Sequence, residues 1–398
     1  MFANRYISQN ISYPEFIESR PNAKLGIIVV IPCYREPDIL QTLQSLKECT
    51  VPSCTVEVIV VINRSATDNE EVAKINDNTY FRIRAWKEEN DSTHIHFHTV
   101  VPEAFPPKYA GAGLARKTGM DEATRRFHGI GKNRGIIVSL DADTTVEPNY
   151  FVEIEKFFSS NQKHIGATIR FQHRIHPGTM SSKQIEGIHL YERYLHYYKN
   201  ALVYTGYPFA IFTIGSAFCC TAEAYTKQGG MNKKQAGEDF YFLHKLSQLG
   251  PIGEINPTCV YPLARLSDRV PFGTGPVLQR WINGEEDLNL TYNFEAFNDL
   301  KILFDQTDQL FKTTEVEYNS FLNNLPVPMK DFLTEGNFFE ELKIVNQHSA
   351  TIASFNKRFF QVFNAFKILK YINFSHLKFY QKIDITVAEN NLYLYKTD

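Results

Sequence analysis

The sequence predicts an α/β fold with a mostly parallel sheet flanked by helices, followed by a mainly helical C-terminal region. Short apolar, β-branched runs alternate with segments of helical spacing through the first half of the chain. From about Pro276 onwards glycine becomes rare, phenylalanine becomes frequent and the spacing is helical. Of the 398 residues, 43% are hydrophobic, which is enough for a sizeable core in one large or two medium domains.

The first half of the chain is expected to form alternating strands and helices. The apolar run at 26–32 ends at a proline and predicts a buried strand, and helical spacing follows it at 38–48. Further strands are predicted at 57–62, 95–101 and 136–140, and further helices at 72–84 and from about Gly113 onwards. In such open sheets the carboxyl ends of the parallel strands form the edge where ligands bind.

Beyond residue 143 the pattern is less regular. We expect strands at 165–171 and 212–220, and helices at 182–200, 235–249 and 354–371. The change in composition between Arg265 and Pro276 predicts a boundary there. The expected organisation is an N-terminal extension at 1–25, an α/β domain at 26–270 and a mainly helical subdomain at 271–398.

The charge and the cysteines exclude several classes of protein. The formal net charge is −2, so no global field would draw the chain to nucleic acid. None of the 6 cysteines forms a C-x-x-C pair, which argues against a zinc site and fits a reducing cytoplasm. Residues 1–24 contain no apolar stretch like a signal peptide, and no run approaches the roughly 20 apolar residues of a membrane span. A cytoplasmic location is therefore expected.

Asp141 and Asp143 follow the predicted strand at 136–140, with one residue between them. Carboxylate oxygens are hard ligands, suited to Mg²⁺ or Mn²⁺ that carries a substrate diphosphate. The two aspartates therefore form a candidate D-x-D metal site at the ligand-binding edge of the sheet. Taken alone, the same pair is also compatible with a helix cap or a solvated turn.

Polar residues also follow the first two predicted strands. Pro32, Tyr34 and Glu36 lie at the end of the first strand, and the turn at 63–68 follows the second. Loops that converge on one sheet edge form a nucleotide crevice. Each of these turns, taken by itself, could equally be an ordinary connection between a strand and a helix.

A stretch of small residues at 111–119 carries Arg116. Small residues let the backbone approach a ligand, and an arginine can pair with phosphate. Arg116 occupies the position of the last glycine of a G-x-G-x-x-G pattern, and the stretch is not a Walker A loop. A dinucleotide-dependent oxidoreductase is therefore disfavoured.

A second acidic motif, Gly237-Glu238-Asp239, precedes a segment of helical spacing. A carboxylate at a helix N-terminus is stabilised by the helix dipole. Such a carboxylate could act as a general base that accepts a proton from an acceptor hydroxyl. A simple helix cap is the alternative.

Taken together and in this order, these motifs resemble glycosyltransferase family 2, inverting enzymes with the GT-A fold. The ordered set consists of the first strand with its P-x-x-x-E ending, Ala115-Arg116, D-x-D and Gly-Glu-Asp. Segments 215–218, 222–225 and 229–231 are similar to those that precede the Glu-Asp motif of the family. The resemblance covers about residues 26–250.

The resemblance implies a role for each matching residue. Asp143 would ligate a divalent metal, Mn²⁺ or Mg²⁺, on the diphosphate of a nucleotide-sugar donor. Asp141 would contact the ribose or the donor sugar, or reach the metal through water. Asp239 would be the catalytic base, and Glu238 would orient the base or the acceptor. The residues implied in donor binding are Pro32, Tyr34, Glu36, Asn63, Asp68, Arg116, Asp141 and Asp143.

The chain also departs from the family pattern. Many members read uracil with an acidic residue after the second strand, where Asn63 stands here, so uridine specificity is in doubt; Asp68 matches the later acidic residue of that turn. Processive members carry Q-x-x-R-W; Arg280 and Trp281 match its end, but Val277 occupies the glutamine position. The chain is therefore interpreted as a single-addition enzyme.

Two further segments invite interpretation. The stretch 267–275 could be a mobile lid that offers Arg269 to the diphosphate, or a glycine-rich turn between domains. Residues 355–382 are basic and aromatic with no Asp or Glu. They could contact the inner face of a membrane and suit a lipid-linked rather than a carbohydrate acceptor, or they could be core aromatics with a solvated basic face.

Two other classes of protein remain open from the sequence. A nucleotidyltransferase also places acidic metal ligands on a Rossmann-like sheet, but it needs a basic loop after the first strand, where only Arg35 is found. A sugar-nucleotide-binding protein without activity is the other alternative. The presence of Asp141, Asp143 and Asp239 together argues against it. The biological role expected of a glycosyltransferase here is synthesis of cell-surface polysaccharide, glycolipid or glycoconjugate.

Overall fold

A computed structural model describes residues 2–176, 178–233, 237–266 and 273–394 of the chain. It confirms the predicted fold class, a mixed α/β sheet flanked by helices and followed by a mainly helical region. The strands are β1 (Leu25–Cys33), β2 (Thr55–Ile62), β3 (Ile95–Val100), β4 (Ile136–Ser139), β5 (Thr145–Val146), β6 (Gly166–Phe171), β7 (Phe218–Thr221), β8 (Ile252–Tyr261), β9 (Leu290–Thr291) and β10 (Ile383–Asp384).

Helices alternate with the strands and then dominate the last third of the chain. A 3₁₀ turn lies at Thr307–Leu310. The α-helices are α1 (Asn4–Asn10), α2 (Ile39–Lys47), α3 (Glu70–Asn90), α4 (Ala112–Gly129), α5 (Tyr150–Ser160), α6 (Ser182–Tyr204), α7 (Ala222–Gln228), α8 (Glu238–Ser247), α9 (Thr274–Asn283), α10 (Phe294–Asp305), α11 (Glu315–Leu322), α12 (Val327–Glu335), α13 (Phe338–Gln347), α14 (Ile352–Val362), α15 (Ala365–Lys378) and α16 (Ile385–Leu394).

The main sheet has the strand order β3-β2-β1-β4-β7-β6-β8-β5. Its first four strands pair in parallel, and β7 then pairs antiparallel with both β4 and β6. The strands β1 and β2 are buried along their whole length, which explains their continuous apolar sequence. Because β1, β2 and β4 are parallel neighbours, the turns that follow them lie at one edge of the sheet.

The helix α4 packs closely on the centre of this sheet. A Cβ atom at Gly119 would overlap the side chains of Val30 on β1 and Val61 on β2. The small residue therefore lets the helix approach the strands. The stretch of small residues at 111–119 lies almost entirely in this helix, which begins at Ala112, one residue before the expected start at Gly113.

The predicted strand at 212–220 is largely wrong. Only Phe218–Thr221 is a strand, because β7 pairs with the four residues of β4 and the short start of β6. The preceding residues form a turn, in which Ala217 N donates to Ile214 O. That turn places Gly215 at the carboxyl end of β4, where Ser139 Oγ donates to Gly215 O at 2.6 Å.

Tyr6 and Tyr13 of the N-terminal segment contact α4 in a buried polar cluster. The carboxylate of Asp121 is fully buried. It accepts hydrogen bonds from Tyr6 at 2.7 Å, Tyr13 at 3.0 Å and Tyr225 at 2.7 Å, and it pairs with Lys117 at 2.7 Å. A buried charge that is paired and fully hydrogen-bonded avoids the desolvation cost of an isolated one.

The chain divides into two compact units. The first contains residues 1–180 and 213–279, and the second contains residues 181–212 and 280–398. The helix α6 thus belongs with the C-terminal helices, although it is inserted between β6 and β7 in sequence. The domain boundaries expected from composition remain a prediction.

Aromatic residues form much of the core of the second unit. Phe355, Phe359 and Phe363 are fully buried, and the rings of Phe359 and Phe363 stack. The predicted single helix at 354–371 is in fact two, α14 and α15. The break occurs at Asn364, because its side chain accepts hydrogen bonds from the backbone N–H groups of Phe366 and Lys367 and caps α15.

No helix in the part of the chain that the structure describes is long and apolar enough to span a membrane.

Candidate active site

The acidic turn Asp141-Ala142-Asp143 follows β4 directly, as the sequence predicted. Its backbone is fixed from two sides: Thr144 N donates to Asp141 O at 3.1 Å, and Thr42 Oγ1 on α2 donates to Ala142 O at 2.9 Å. The alanine is buried, whereas the side chains of Asp141 and Asp143 are 39% and 17% exposed. The turn therefore holds two partly solvent-accessible carboxylates on a rigid backbone.

Arg116 connects this turn to the second acidic motif. Its Nη2 donates to Asp141 Oδ1 at 2.7 Å, and its Nη1 donates to Glu238 Oε1. The side chain is buried, and its Nε has no hydrogen-bond partner among the described residues. Burial lowers the pKa of Arg116, but the nearby carboxylates outweigh that effect and raise the pKa above its ordinary value. The arginine is therefore permanently charged.

Glu238 and Asp239 are the first two residues of α8. Gly237 precedes them in the left-handed conformation with φ of 69°, which glycine adopts without strain. Asp239 Oδ1 accepts a hydrogen bond from Phe240 N at 2.7 Å. The predicted helix at 235–249 is thus present as α8, with the two carboxylates in its first turn.

Burial and the charge of Glu238 raise the pKa of Asp239 to about 7, although Arg116 and the Phe240 amide act in the opposite direction. An aspartate with a pKa near neutrality exchanges a proton readily at physiological pH. That property is the one expected of a general base.

Gly215 also belongs to this site, although the sequence did not indicate it as a site residue. A Cβ atom here would lie 2.9 Å from Arg116 Nη2 and 3.1 Å from Asp239 Oδ2. The glycine backbone thus lies against both the arginine and the aspartate. The signal in the sequence was the segment 215–218, which was noted only as part of the family resemblance.

Arg265 is a second residue that the sequence did not indicate. It follows β8 and pairs with Glu36, with Nη1 donating to Oε1 at 3.1 Å and Nη2 to Oε2. The same Nη2 lies 2.8 Å from Asp143 Oδ2. The end of β1 and the turn after β4 are therefore joined by one guanidinium. No local pattern could predict it, because 229 residues separate Arg265 from Glu36.

The other residues predicted to bind the nucleotide lie along the same edge. Pro32 is buried near the end of β1, opposite Val61. Tyr34 donates to Asp68 Oδ1 at 3.0 Å, which joins the turn after β1 to the turn after β2. Asn63 is buried, and its Nδ2 donates to Cys33 O at 3.1 Å. The structure thus uses the amide nitrogen of Asn63 to hold the two turns together.

Three further residues, Arg269, Arg280 and Trp281, were predicted for a lid over the site, and that role stays a prediction. Arg269 lies outside the described residues. Arg280 belongs to the second unit and pairs with Glu286 at 2.8 Å. Trp281 in the same unit donates from Nε1 to Lys183 O at 2.8 Å, and Lys183 lies over its ring.

The donor set at the acidic turn fits a metal that arrives with a diphosphate. Within the described residues, no group of three or more His, Cys, Asp or Glu side chains is arranged to hold a metal ion. Asp141 and Asp143 therefore offer two carboxylates, and Mg²⁺ is commonly held by one or two carboxylates with waters and substrate phosphates. The residues present suit a metal shared with the substrate better than one held by protein alone.

Comparison with known protein families gives a match over part of the chain. Residues 136–295 match the model of the glycosyl transferase family group 2. This range includes the acidic turn, Gly215 and the start of α8. The match confirms, over these residues, the resemblance to glycosyltransferase family 2 that the motifs predicted. No curated protein matches the chain.

Several solved structures are similar in fold. TarS 1-349 from S. aureus in complex with UDP-GlcNAc is 13% identical, with a TM-score of 0.44, over 83% of this chain and 89% of that one. For the longer TarS structure, with 13% identity and a TM-score of 0.39, the match covers 88% of this chain but only 55% of that chain. The mannosyltransferase PcManGT from Pyrobaculum calidifontis, in complex with GDP-Man and Mn²⁺, is 13% identical over 91% of this chain and 93% of that one, with a TM-score of 0.40.

Proposed function

We propose that the protein is a metal-dependent, inverting glycosyltransferase that moves a sugar from a nucleotide-diphosphate sugar to an acceptor hydroxyl. The observation that carries the proposal is the position of Arg116, which pairs with Asp141 of the acidic turn and with Glu238 beside Asp239. The arginine brings a candidate diphosphate-metal site and a candidate base to one place. Transfer of a sugar requires both at the same substrate.

The acidic turn would bind the donor. Asp143 would ligate a divalent cation on the diphosphate, and Asp141 would contact the ribose or donor sugar or reach the cation through water. When bound, Mn²⁺ or Mg²⁺ would stabilise the charge that develops on the leaving diphosphate. Pro32, Tyr34 and Asp68 would shape the nucleotide side of the site, and the amide in place of an acid at Asn63 leaves the base unassigned.

Asp239 would act on the acceptor. Its raised pKa suits a group that accepts the acceptor proton as the hydroxyl oxygen attacks the anomeric carbon. The bond to the diphosphate breaks on the opposite face, so that a single displacement inverts the anomeric centre. Glu238, held by Arg116, would orient Asp239 or the acceptor. With Val277 in the glutamine position of Q-x-x-R-W, the enzyme would add one sugar at a time.

The acceptor would be a carbohydrate or a lipid-linked sugar. In the second unit, Phe366 and Phe379 are partly exposed and Leu377 is 84% exposed, beside a basic face on α15. These side chains support peripheral contact of residues 355–382 with an anionic membrane surface. A liposome-binding assay of Phe366→Glu with Lys370→Glu tests this contact, and unchanged binding would rule it out.

The central test is turnover of a panel of sugar nucleotides with Mn²⁺, with Mg²⁺ and with a chelator. We expect turnover of at least one donor that the chelator abolishes. Asp143→Ala should lose metal-dependent donor binding, whereas Asp239→Asn should keep donor binding and lose transfer. If no donor binds or turns over with any metal, the proposed function is wrong. If Asp239→Asn transfers sugar at the normal rate, the assignment of the base is wrong.

A further inference from the structure

Arg265 contacts two carboxylates that come from different parts of the sheet edge. Glu36, after β1, is 1% exposed, and Asp143, after β4, is 17% exposed at its side chain. The side chain of Arg265 is 26% exposed. Arg265 thus lies between a buried acid and a partly open one, and the partly open one is the candidate metal ligand.

The two contacts are unequal. Both terminal nitrogens of Arg265 reach the carboxylate of Glu36, whereas only Nη2 reaches Asp143, at 2.8 Å. A bidentate pair between arginine and carboxylate fixes geometry as well as energy. Loss of the Asp143 contact would therefore leave Arg265 anchored to Glu36 through both nitrogens.

We propose that Arg265 neutralises Asp143 while the donor site is empty and binds the diphosphate once a metal-bound donor occupies the site. This inference rests on the proposed function. Arg265 stays paired with Glu36 throughout, and only its Nη2 contact changes, from the carboxylate of Asp143 to a phosphate oxygen. Arg265 is thus a positioning residue for Asp143 and a ligand-binding residue for the diphosphate, and no covalent bond changes in this step.

A purely structural role for Arg265 predicts different behaviour. If Arg265 only tied the end of β8 to the end of β1, its replacement would loosen the site and weaken all binding there. If it competes with the metal for Asp143 and then binds phosphate, its replacement has opposite effects on two ligands. Metal alone would bind more tightly, and metal with a diphosphate would bind less tightly.

Calorimetric titration of the full chain with Mn²⁺ alone, and with Mn²⁺ and inorganic pyrophosphate, separates these roles without a turnover assay. For Arg265→Gln we expect Mn²⁺ alone to bind roughly threefold to fivefold more tightly. We expect Mn²⁺ with pyrophosphate to bind about tenfold more weakly. Arg265→Lys keeps the charge but not the fork geometry, and should show smaller changes of the same signs.

Arg193→Gln is the matched control, because Arg193 also reaches a glutamate, Glu389, with two nitrogens, but in the second unit. It should leave both affinities unchanged. The proposal is overturned if Arg265→Gln, or Arg265→Lys where the glutamine variant does not fold, changes neither affinity or weakens both. That result, with Mn²⁺ binding retained in the unaltered protein and lost in Asp143→Ala, would leave the proposed function standing. Absence of Mn²⁺ binding to the unaltered protein both without and with pyrophosphate would reject the metal-dependent function together with this role of Arg265.

Discussion

Arg116 donates to Asp141 at 2.7 Å, although the two residues lie 25 positions apart on different elements of the fold. The arginine comes from the first turns of α4, and the aspartate from the turn after β4. The same guanidinium reaches Glu238 at the start of α8. One buried cation thus compensates the carboxylates of two acidic motifs, and five predictions follow from this site and from the helix that carries Arg116.

Replacement of Arg116 by methionine should destabilise the fold strongly. Removing one partner from a buried ion pair leaves uncompensated buried charge and costs about 3–5 kcal/mol. Denaturant unfolding measures this loss directly. The exposed pair of Arg193 and Glu389 provides the contrast, because Arg193→Met should change the free energy of unfolding by no more than about 1 kcal/mol. Equal losses for the two variants would contradict the central role of Arg116.

The rate of sugar transfer should rise with pH through about 7, where the raised pKa of Asp239 lies. The base acts when ionised, so kcat/KM should fall about tenfold per pH unit below that pKa and level off above it. Asp239→Asn should lower the rate of transfer by about 10²- to 10⁴-fold and remove the rise of kcat/KM with pH. A profile of kcat/KM against pH for the unaltered protein and for Asp239→Asn measures this dependence. If Asp239→Asn shows the same rise with pH, the titrating group is not Asp239.

Glu238→Gln should move the rise of kcat/KM to lower pH. The negative charge of Glu238 raises the pKa of Asp239, whereas Arg116 lowers it. Without the negative charge of Glu238, the positive charge of Arg116 is no longer offset and favours the ionised form of Asp239. The pKa of Asp239 should therefore fall. The pH at half-maximal kcat/KM reports the change. A shift to higher pH would show that Glu238 acts on Asp239 by another route.

Gly215→Ala should reduce transfer without unfolding the protein. The added methyl group would lie 2.9 Å from Arg116 Nη2 and 3.1 Å from Asp239 Oδ2, so one of these side chains has to move. A small misplacement of a catalytic group costs about ten- to a hundredfold in rate. Gly129→Ala is the control, because a Cβ there meets nothing within 4 Å. If Gly215→Ala and Gly129→Ala both transfer sugar at the normal rate, displacement of Arg116 or Asp239 does not impair transfer and the prediction is wrong.

Tyr6→Phe should destabilise the first unit through the buried cluster around Asp121. The lost hydroxyl donates to the fully buried carboxylate at 2.7 Å, and a hydrogen bond to a charged group contributes about 1.5–3 kcal/mol. Thermal or denaturant unfolding measures the change. Tyr109 is 37% exposed, so Tyr109→Phe should have almost no effect. If Tyr6→Phe leaves the free energy of unfolding unchanged, the N-terminal segment adds little to the stability of α4.

The sequence predicted the parallel part of the sheet well, because β1, β2 and β4 are buried on both faces and read as continuous apolar runs. It missed β8, where a proline and several exposed positions interrupt the apolar pattern. It extended β7 too far, because an apolar sequence does not show where a pairing partner ends. The break at Asn364 was missed for a related reason: helical spacing continued across a residue that caps a new helix.

The sequence predicted those residues of the candidate site that follow a strand or begin a helix. Asp141, Asp143, Glu238 and Asp239 carry such a local signal. The sequence suggested phosphate as the partner of Arg116, which stays a prediction, and it did not indicate the two carboxylates that pair with Arg116 in the structure. Arg265 gave no local signal, and Gly215 was noted only within segment 215–218 of the family resemblance. The positions of both residues in the site come from contacts between segments far apart in the chain.

The close approach of α4 to the sheet at Gly119 has a consequence for the evolution of this chain. Gly119 lies one turn after Arg116 on the same helix, so a larger side chain there would push the helix away from Val30 and Val61 and withdraw the arginine from its carboxylates. We therefore expect positions 30, 61 and 119 to vary together among relatives. Where a relative carries alanine or serine at 119, the two strand positions should hold smaller residues, so that the distance between the sheet and the helix that carries Arg116 is preserved.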